Sequence, residues 1–457
     1  MSSEAPHNHS QRADLAALRQ VLSGTMALPD DPEYGLAQPW NVAVAVAPAA
    51  VIAAADATDI VETVRFAASA GFKVAVQATG HGAVPVGDEV LLVHTARLDE
   101  CTVDVEQRTA RIGAGVRWRQ VLDAAGLHGL APVAGSSPNV GVVGYLSGGG
   151  VGPLAATLGV SSDYVRSLDV VTGDGELRHV TPTEHADLFW GLRGGKATLG
   201  IITAVEIDLL PISTIYGGAL YFDGADSAPV LHAWSTWSAT LPEHATTSVA
   251  LVQLPDLPVL PPAIAGKQTI VVRYASIADP TEAERVLDPL RAVATPVLAS
   301  VGELPYTRIG EIHGDPSDPA PVQERHTLMS ALTPEAVDAL VQTAGPGSGS
   351  PLLVVELRRF GGAFARAPRD ASAFSYRDAA YALHTIGLAV PPNSQAVTAH
   401  AERVIGAVGS CSTGRKLANF AASNDPDQIA RAYDDETRDG LTAVADRYDP
   451  THVLARG

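Results

Sequence analysis

The sequence predicts a protein of the α+β class, and three observations support that prediction. The chain has 457 residues, which is enough for two or three lobes that share at least one large core. Between residues 40 and 211, short apolar runs alternate with glycine-rich turns and two helical stretches. Between residues 213 and 398, long strands alternate with helices, an order typical of one antiparallel sheet with helices gathered on a face.

The first part of the chain reads as a series of short elements. Residues 57–70 carry apolar side chains at helical spacing and follow Asp56, which suits a helix N-cap. A second helix is expected over 118–125. The Gly173-Asp174-Gly175 turn predicts a hairpin. The remaining extended segments are an entry or strand pair at 42–51, strands at 73–77, 91–94, 101–105 and 110–113, the hairpin arms 168–172 and 177–180, and a strand at 201–210.

The second part has longer elements. Strands are expected at 248–254, 269–274 and 352–358, and helices at 280–294 and 334–343. The last stretch of the chain is mostly helical. We therefore expect an N-terminal helical segment (1–36), a first domain (37–212), a second domain (213–398) and a C-terminal segment (399–457).

Charge and composition exclude several classes of function. The chain has 31 Lys and Arg against 50 Asp and Glu, a net charge of −19, so nucleic-acid and anionic-membrane partners are not expected. No apolar run is long enough to span a bilayer, and residues 1–20 have no apolar signal region, so a cytoplasmic location is expected. The two cysteines, Cys101 and Cys411, lack the spacing of a disulfide framework or a metal site, and no metal is expected.

The strongest chemical signal is the glycine-rich run from Gly135 to Gly152. Closely spaced glycines let the backbone approach a ligand, and their N–H groups suit a pyrophosphate. A P-loop is excluded, because Lys196 follows Gly194-Gly195 but residue 190 is Trp and residue 197 is Ala. A dinucleotide fingerprint is excluded as well, because Gly113-Ala114-Gly115 lacks the third glycine and the acidic residue that should follow. The alternative for this run alone is a set of tight turns packed on a sheet.

Several segments together resemble a known family. In order and spacing, they are similar to the PCMH-type (vanillyl-alcohol-oxidase) FAD-binding fold, and specifically to its berberine-bridge-enzyme-like branch. In overall sequence pattern, the chain is most similar to the small bacterial oxidases of natural-product biosynthesis among the members of this family. The segments are 76–82, 113–118, 135–152, 159–163, 169–175, 187–195, 200–203, 419–420 and 448–450.

The resemblance implies a two-part FAD-binding domain, to which the C-terminal segment returns, and a substrate domain whose antiparallel sheet covers the flavin ring. It implies a covalent link between FAD and His81, with the pyrophosphate near Gly80, Gly82, Gly141 and Gly144. The residues expected to bind FAD are His81, Gln77, Ala78, Thr79, Gly80, Gly82, Ser137, Val140, Gly141, Gly144, Tyr145, Gly148, Gly149, Gly150, Gly200, Ile201 (on the adenine side) and Asn419.

Three departures from the family pattern affect the chemistry. Ser137 stands where members with two flavin links carry a cysteine, and a hydroxyl is not the nucleophile such a bond needs, so a single link is expected. Residues 77–79 replace the usual basic-plus-glycine approach to His81. Leu417 stands where the family usually has a tyrosine, which leaves the role of proton acceptor open.

Glu356 is the candidate catalytic base. Strand alternation puts Val354, Glu356 and Arg358 on one face of the strand 352–358. Burial under a flavin would raise the pKa of this carboxyl, as a base near neutral pH requires. The alternative is a same-face ion pair with Arg358. Tyr376, Tyr381 and His384 are further candidates to line the pocket, with the core as their alternative place.

Two functions from different classes follow. The first is an FAD-dependent oxidase that transfers hydride from a small organic or natural-product substrate to covalent FAD, which O₂ re-oxidises. The second is a flavoprotein with a weak or lost redox role that acts as a cyclase or binding protein on a biosynthetic intermediate. In either case we expect a monomer or homodimer whose partners are small molecules.

Overall fold

The computed structural model describes residues 15–196, 199–421, 423 and 425–455. The first fourteen residues of the expected N-terminal segment lie outside that part, and residues 15–21 are helical. Three sheets follow one another along the chain, each with helices packed against it. This arrangement confirms the α+β class.

The first sheet carries the turn that contains His81. Its strands are Thr25–Ala27 (β1), Ala50–Ala53 (β2), Lys73–Gln77 (β3) and Val90–His94 (β4), in the order β1-β2-β4-β3. The helix Ala57–Ala70 packs on this sheet and begins at Asp56, whose side chain accepts hydrogen bonds from the N–H groups of Thr58 and Asp59. The predicted helix 57–70, its cap and the strand 73–77 are confirmed.

The second sheet has five antiparallel strands. They are Cys101–Asp104 (β5), Thr109–Gly113 (β6), Val165–Val171 (β7), Leu177–Val180 (β8) and Ile201–Asp208 (β9), in the order β5-β6-β9-β7-β8. Strands β7 and β8 form the predicted hairpin. The helices of this part are Trp118–Gly126, Val142–Ser147, Ala155–Leu158 and Ala186–Leu192. Trp118 lies at the centre of their common core and is fully buried.

The third sheet has eight antiparallel strands, and helices cover one of its faces. The strands are Thr214–Asp223 (β10), Ala245–Gln253 (β11), Gln268–Ser276 (β12), Leu298–Ala299 (β13), Gly302–Pro305 (β14), Val322–Met329 (β15), Leu352–Arg359 (β16) and Tyr381–Leu388 (β17). Their order is β13-β10-β12-β11-β16-β17-β15, with β14 also beside β10. The helices are Ser227–Ala239, Pro280–Val286, Asp288–Arg291, Pro334–Ala344 and Ser394–Ala407.

The C-terminal part returns to the first two sheets. The helix Asp435–Tyr448 packs against Ala186–Leu192, and a shorter helix, Pro426–Ala430, precedes it. The Val74 N–H of β3 donates a hydrogen bond to the Val453 carbonyl at 2.8 Å. The expected boundary between residues 398 and 399 falls inside the helix Ser394–Ala407, which packs on the third sheet.

Two expected elements differ from the structure. Of the expected segment 42–51, residues 42–44 form a turn, Val46 makes an isolated parallel bridge with Val86, and only the last two residues belong to a strand. The expected helix 280–294 is broken into two short helices, because Pro289 has no N–H with which to continue the first one. None of the described helices is long and apolar enough to cross a membrane.

Candidate active site

The His81 imidazole lies in the turn that follows β3. Its ring stacks on Trp40, with the ring centroids 4.8 Å apart, and its Nδ1 is 2.8 Å from Thr79 Oγ1. Burial, together with the nearby Arg117 guanidinium, lowers the pKa of His81 to about 4. The imidazole is therefore neutral at neutral pH and has a nitrogen lone pair with which to form a bond.

The turn keeps its shape through close contacts with the segment before β2. Gly80 has a φ of +70°, and a Cβ at this position would lie 2.5 Å from Pro39 Cα. The Trp40 N–H donates to the Thr79 carbonyl, and the Gln77 side-chain amide donates to the Leu36 carbonyl at 3.1 Å. The expected residues Gln77, Thr79 and Gly80 thus hold the turn in which His81 sits.

The glycines expected at the cofactor divide into two groups. We call Gly82, Gly141 and Gly144 the open glycines, because a Cβ would come no nearer than 3.5 Å to any protein atom of another part of the fold. At Gly144, a Cβ would have no atom of the described residues within 4 Å apart from those of its own helix. The open glycines leave room for a ligand to contact the backbone closely.

The second group, the packed glycines, is Gly148, Gly149, Gly150 and Gly200. A Cβ would lie 2.2 Å from Asn419 Oδ1 at Gly148, 2.2 Å from the Phe374 ring at Gly149, and 2.4 Å from the Tyr145 ring at Gly150. At Gly200 it would lie 2.4 Å from Val170. Protein packing alone requires glycine at these four positions, so their contact with FAD stays a prediction.

The other expected cofactor residues have varied surroundings. Tyr145 packs edge-on against Trp118, its buried hydroxyl has no partner among the described residues, and burial raises its pKa. Ala78 lies beside the open glycine Gly141. Ile201 pairs with Val171 in the sheet and its side chain is in the core. The Ser137 carbonyl accepts a hydrogen bond from the Val140 N–H.

Lys196 is a site residue that the sequence did not single out as a binder. Its side chain passes within 3.0 Å of a Cβ placed at Gly148, and its Nζ lies 3.7 Å from a Cβ placed at Gly82. Burial lowers its pKa to about 8. The side chain therefore brings a positive charge to the open glycines.

The face of the third sheet that lies away from its helices carries a row of polar side chains. The register places Glu356 of β16 opposite His384 of β17, and His384 opposite His326 of β15. Their neighbours in sequence, such as Leu357 and Leu383, point into the core under the helices.

Glu356 is held in a network of ion pairs. Its carboxylate lies 2.9 Å from Arg273 Nη1 and 2.8 Å from Arg358 Nε, and it accepts a hydrogen bond from Ser248 Oγ at 2.9 Å. Burial would raise the pKa of Glu356, but the two guanidiniums and His313 outweigh it and hold that pKa well below its usual range. The expected raised pKa is wrong, and the alternative of an ion pair with Arg358 is confirmed.

The C-terminal part contributes Asn419 and Phe420. The Asn419 side-chain amide donates to the Tyr145 carbonyl at 2.9 Å, which anchors the expected cofactor residue Asn419 on the glycine-rich run. Phe420 stacks on His326, with centroids 5.1 Å apart. Leu417 is buried in an apolar cluster with Phe360 and Phe364, so its position is core and not pocket.

Comparison with solved structures decides the fold family. The structure superposes on the berberine-bridge-enzyme-like protein 1 of Physcomitrella patens with a TM-score of 0.83, at 18% identity over 97% of each chain. For the 6-hydroxy-D-nicotine oxidase of Arthrobacter nicotinovorans the TM-score is 0.81, at 21% identity over 94% of this chain and 96% of that one. The chain has the berberine-bridge-enzyme-like fold. The resemblance seen in the sequence is thereby confirmed.

Sequence comparison agrees with the berberine-bridge-enzyme-like fold. Residues 48–181 match the model of the FAD binding domain family. The FAD-dependent monooxygenase prx3 of Penicillium roqueforti is 28% identical over 44% of this chain and 40% of its own length. The (R)-6-hydroxynicotine oxidase of Paenarthrobacter nicotinovorans is 29% identical over 41% of this chain and 42% of its own. The matched part of the chain thus spans about two fifths of these relatives.

The residues of the site fit an FAD. At the open glycines, the FAD pyrophosphate can lie directly against the protein backbone. Lys196 supplies a positive charge beside these glycines, and the neutral His81 imidazole is next to one of them, Gly82. Within the described residues, no group of three His, Cys, Asp or Glu side chains is arranged to hold a metal ion.

Proposed function

We propose that the protein is an FAD-linked oxidase that oxidises a small organic substrate. The observation that carries the proposal is the neutral, half-buried His81 imidazole beside the open glycines, with Glu324 of the polar sheet face near it. When bound, FAD would accept a hydride and pass two electrons to O₂. The chain's own residues would bind the cofactor, orient the substrate and accept its proton.

We further propose that FAD is joined to the chain by a single covalent link through His81. A neutral imidazole has the lone pair that such a bond requires, and the Thr79 hydroxyl at 2.8 Å fixes the ring. Ser137 offers no thiolate for a second link. Among the solved neighbours, the glucooligosaccharide oxidase of Acremonium strictum is described as carrying a 6-S-cysteinyl, 8α-N1-histidyl FAD.

Anaerobic reduction tests the oxidase proposal. A panel of alcohols and natural-product intermediates is mixed with the purified yellow protein without oxygen, and air is then admitted. We expect a substrate to bleach the flavin absorbance and air to restore it with release of one peroxide per flavin. A flavin that binds these compounds but keeps its absorbance would contradict the oxidase proposal and would point to a non-redox role.

A further inference from the structure

The polar row on the third sheet contains a carboxylate–imidazole pair, Glu324 and His384. Glu324 Oε1 of β15 lies 3.5 Å from His384 Nε2 of β17. The two residues are diagonal neighbours, since His384 pairs with His326 and Glu324 with Ile386. Glu324 is ionised near neutral pH: burial raises its pKa, but the hydrogen bond with His384 and the charge of the Arg358 guanidinium lower it by more.

The pair lies at the edge of the proposed flavin site. The Asn41 side chain both donates to the Val322 carbonyl and accepts from the Val322 N–H, which ties the start of β15 to the loop of Trp40. Trp40 in turn stacks on His81. From the opposite side, Phe420 packs against the His384 ring at 5.0 Å.

Three of the four imidazole nitrogens of His326 and His384 are buried without a hydrogen-bond partner among the described residues. His326 and His384 are each only 4% exposed. The three nitrogens are both ring nitrogens of His326 and the Nδ1 of His384. A buried polar atom without a partner costs folding free energy, so a row of three such nitrogens indicates that a ligand supplies the missing hydrogen bonds.

Glu356 does not compete for this role. Its carboxylate oxygens already accept from Arg273, Arg358 and Ser248. His384, in contrast, has a carboxylate at one nitrogen and a free nitrogen at the other, which is the arrangement of a general base oriented by an acid. The titratable and charged groups around it are Glu324 and His326 on β15, Glu356 and Arg358 on β16, His81 in the turn after β3, and Lys416 before Phe420.

We propose that His384, positioned by Glu324, accepts the hydroxyl proton of an alcohol substrate at Nδ1, and that His326 hydrogen-bonds the same substrate. This inference rests on the proposed oxidase function. The substrate O–H bond breaks and an N–H bond forms on His384, while the hydride and its electron pair leave the hydroxyl-bearing carbon for FAD, so that a carbonyl results. An alcohol substrate can give its hydroxyl proton directly to an imidazole nitrogen. An amine substrate that is protonated must first lose one proton before its lone pair can form a C=N bond.

A chromogenic hydroxyl compound tests the pair without turnover. Para-nitrophenol changes colour when its hydroxyl proton is lost, so difference spectra of the FAD-loaded protein report the ionisation state of the bound probe. At a pH where free probe is mostly protonated, we expect the bound probe to show the phenolate spectrum. E324Q and H384N should each lower the fraction of bound probe that is phenolate about tenfold or more. E324D keeps a carboxylate and should give a phenolate fraction between those of E324Q and the wild type.

Controls separate the proton acceptor from general damage. H400Q removes a buried histidine on the helix Ser394–Ala407, whose Nε2 contacts the Thr343 carbonyl away from the site, and should leave the phenolate spectrum unchanged. E324Q alters a side chain that is 41% exposed, so it should keep its flavin and fold. A wild-type protein that binds the probe only as the phenol, or not at all, overturns the proposal, as does a full phenolate signal in E324Q. The probe's colour does not depend on flavin reduction, so a failed oxidase proposal would show separately as missing FAD or missing bleaching.

Discussion

Alanine substitutions at Gly144 and Gly149 should have opposite consequences. Gly149 has a φ of +97°, and a Cβ there would lie 2.2 Å from the Phe374 ring. The left-handed backbone costs about 1–2 kcal/mol for an alanine, and overpacking adds about 1–3 kcal/mol. Gly149→Ala should therefore lower the free energy of unfolding by about 2–5 kcal/mol. Gly144 lies inside the helix Val142–Ser147, and a Cβ there would have no described atom within 4 Å apart from those of its own helix, so alanine should raise stability by about 0.5–1 kcal/mol.

The effects on FAD affinity should be the reverse of those on stability: Gly144→Ala should lower the affinity more than Gly149→Ala. If the pyrophosphate lies against Gly144, an added methyl group must push it away, and overpacking of about 1–3 kcal/mol corresponds to about a 5- to 150-fold loss of affinity. The assay uses both substitutions in a His81→Ala background, where the flavin is exchangeable. Urea unfolding of the flavin-free protein gives stability, and quenching of flavin fluorescence gives affinity. A Gly144→Ala protein with the FAD affinity of its parent would refute the assignment of the open glycines, and an undamaged Gly149→Ala protein would refute that of the packed ones.

Three further substitutions test the charges around the site. Glu356→Gln should lower the free energy of unfolding by about 3–5 kcal/mol, because it leaves two buried guanidiniums without their carboxylate. Since the pKa of Glu356 is depressed in the folded protein, the stability difference between wild type and variant should be largest above about pH 4.5 and should shrink as the pH falls below that value. Its flavin-reduction rate per folded molecule should be near that of the wild type, and a slowing of about 10²–10⁴ would instead support Glu356 as the base. Lys196→Met, in the His81→Ala background, should weaken FAD binding about tenfold, and since the pKa of Lys196 is about 8 the parent's advantage should fade above pH 8 in a binding titration. Thr79→Val removes the hydroxyl beside His81 Nδ1 and should slow covalent FAD incorporation about fivefold in a time course on apoprotein; an unchanged rate would mean that the hydroxyl does not position the ring.

Local sequence signals predicted much of the fold. Asp56 predicted the start of its helix, because an aspartate before an apolar periodic stretch caps two free N–H groups. The Gly173-Asp174-Gly175 turn predicted the β7-β8 hairpin for a similar local reason. The break at Pro289 was missed because the apolar spacing on both sides of it continues without a phase change.

The site was harder to predict, because it depends on pairing between distant strands. Alternation placed Glu356 and Arg358 on one face correctly, but it could not tell that Arg273 of β12 reaches the same carboxylate and reverses the direction of its pKa shift. His384 was a candidate for the pocket and does lie on the site face, whereas Tyr381 is in the core of the opposite face.

Glu324 and His326 were missed. Their strand, Val322–Met329, begins with polar residues and has a weak apolar pattern. The one available signal was the two-residue spacing of Glu324 and His326, which is the spacing of one strand face.

The mass of the intact protein tests the central claim most directly. The account predicts that wild-type protein, denatured and freed of loosely bound ligands, carries the added mass of one FAD and keeps its yellow colour. His81→Ala protein should have the mass of the bare chain and should take up FAD reversibly. The account would be contradicted by a wild-type protein that has the bare mass and no colour after denaturation and that, when folded, does not bind added FAD.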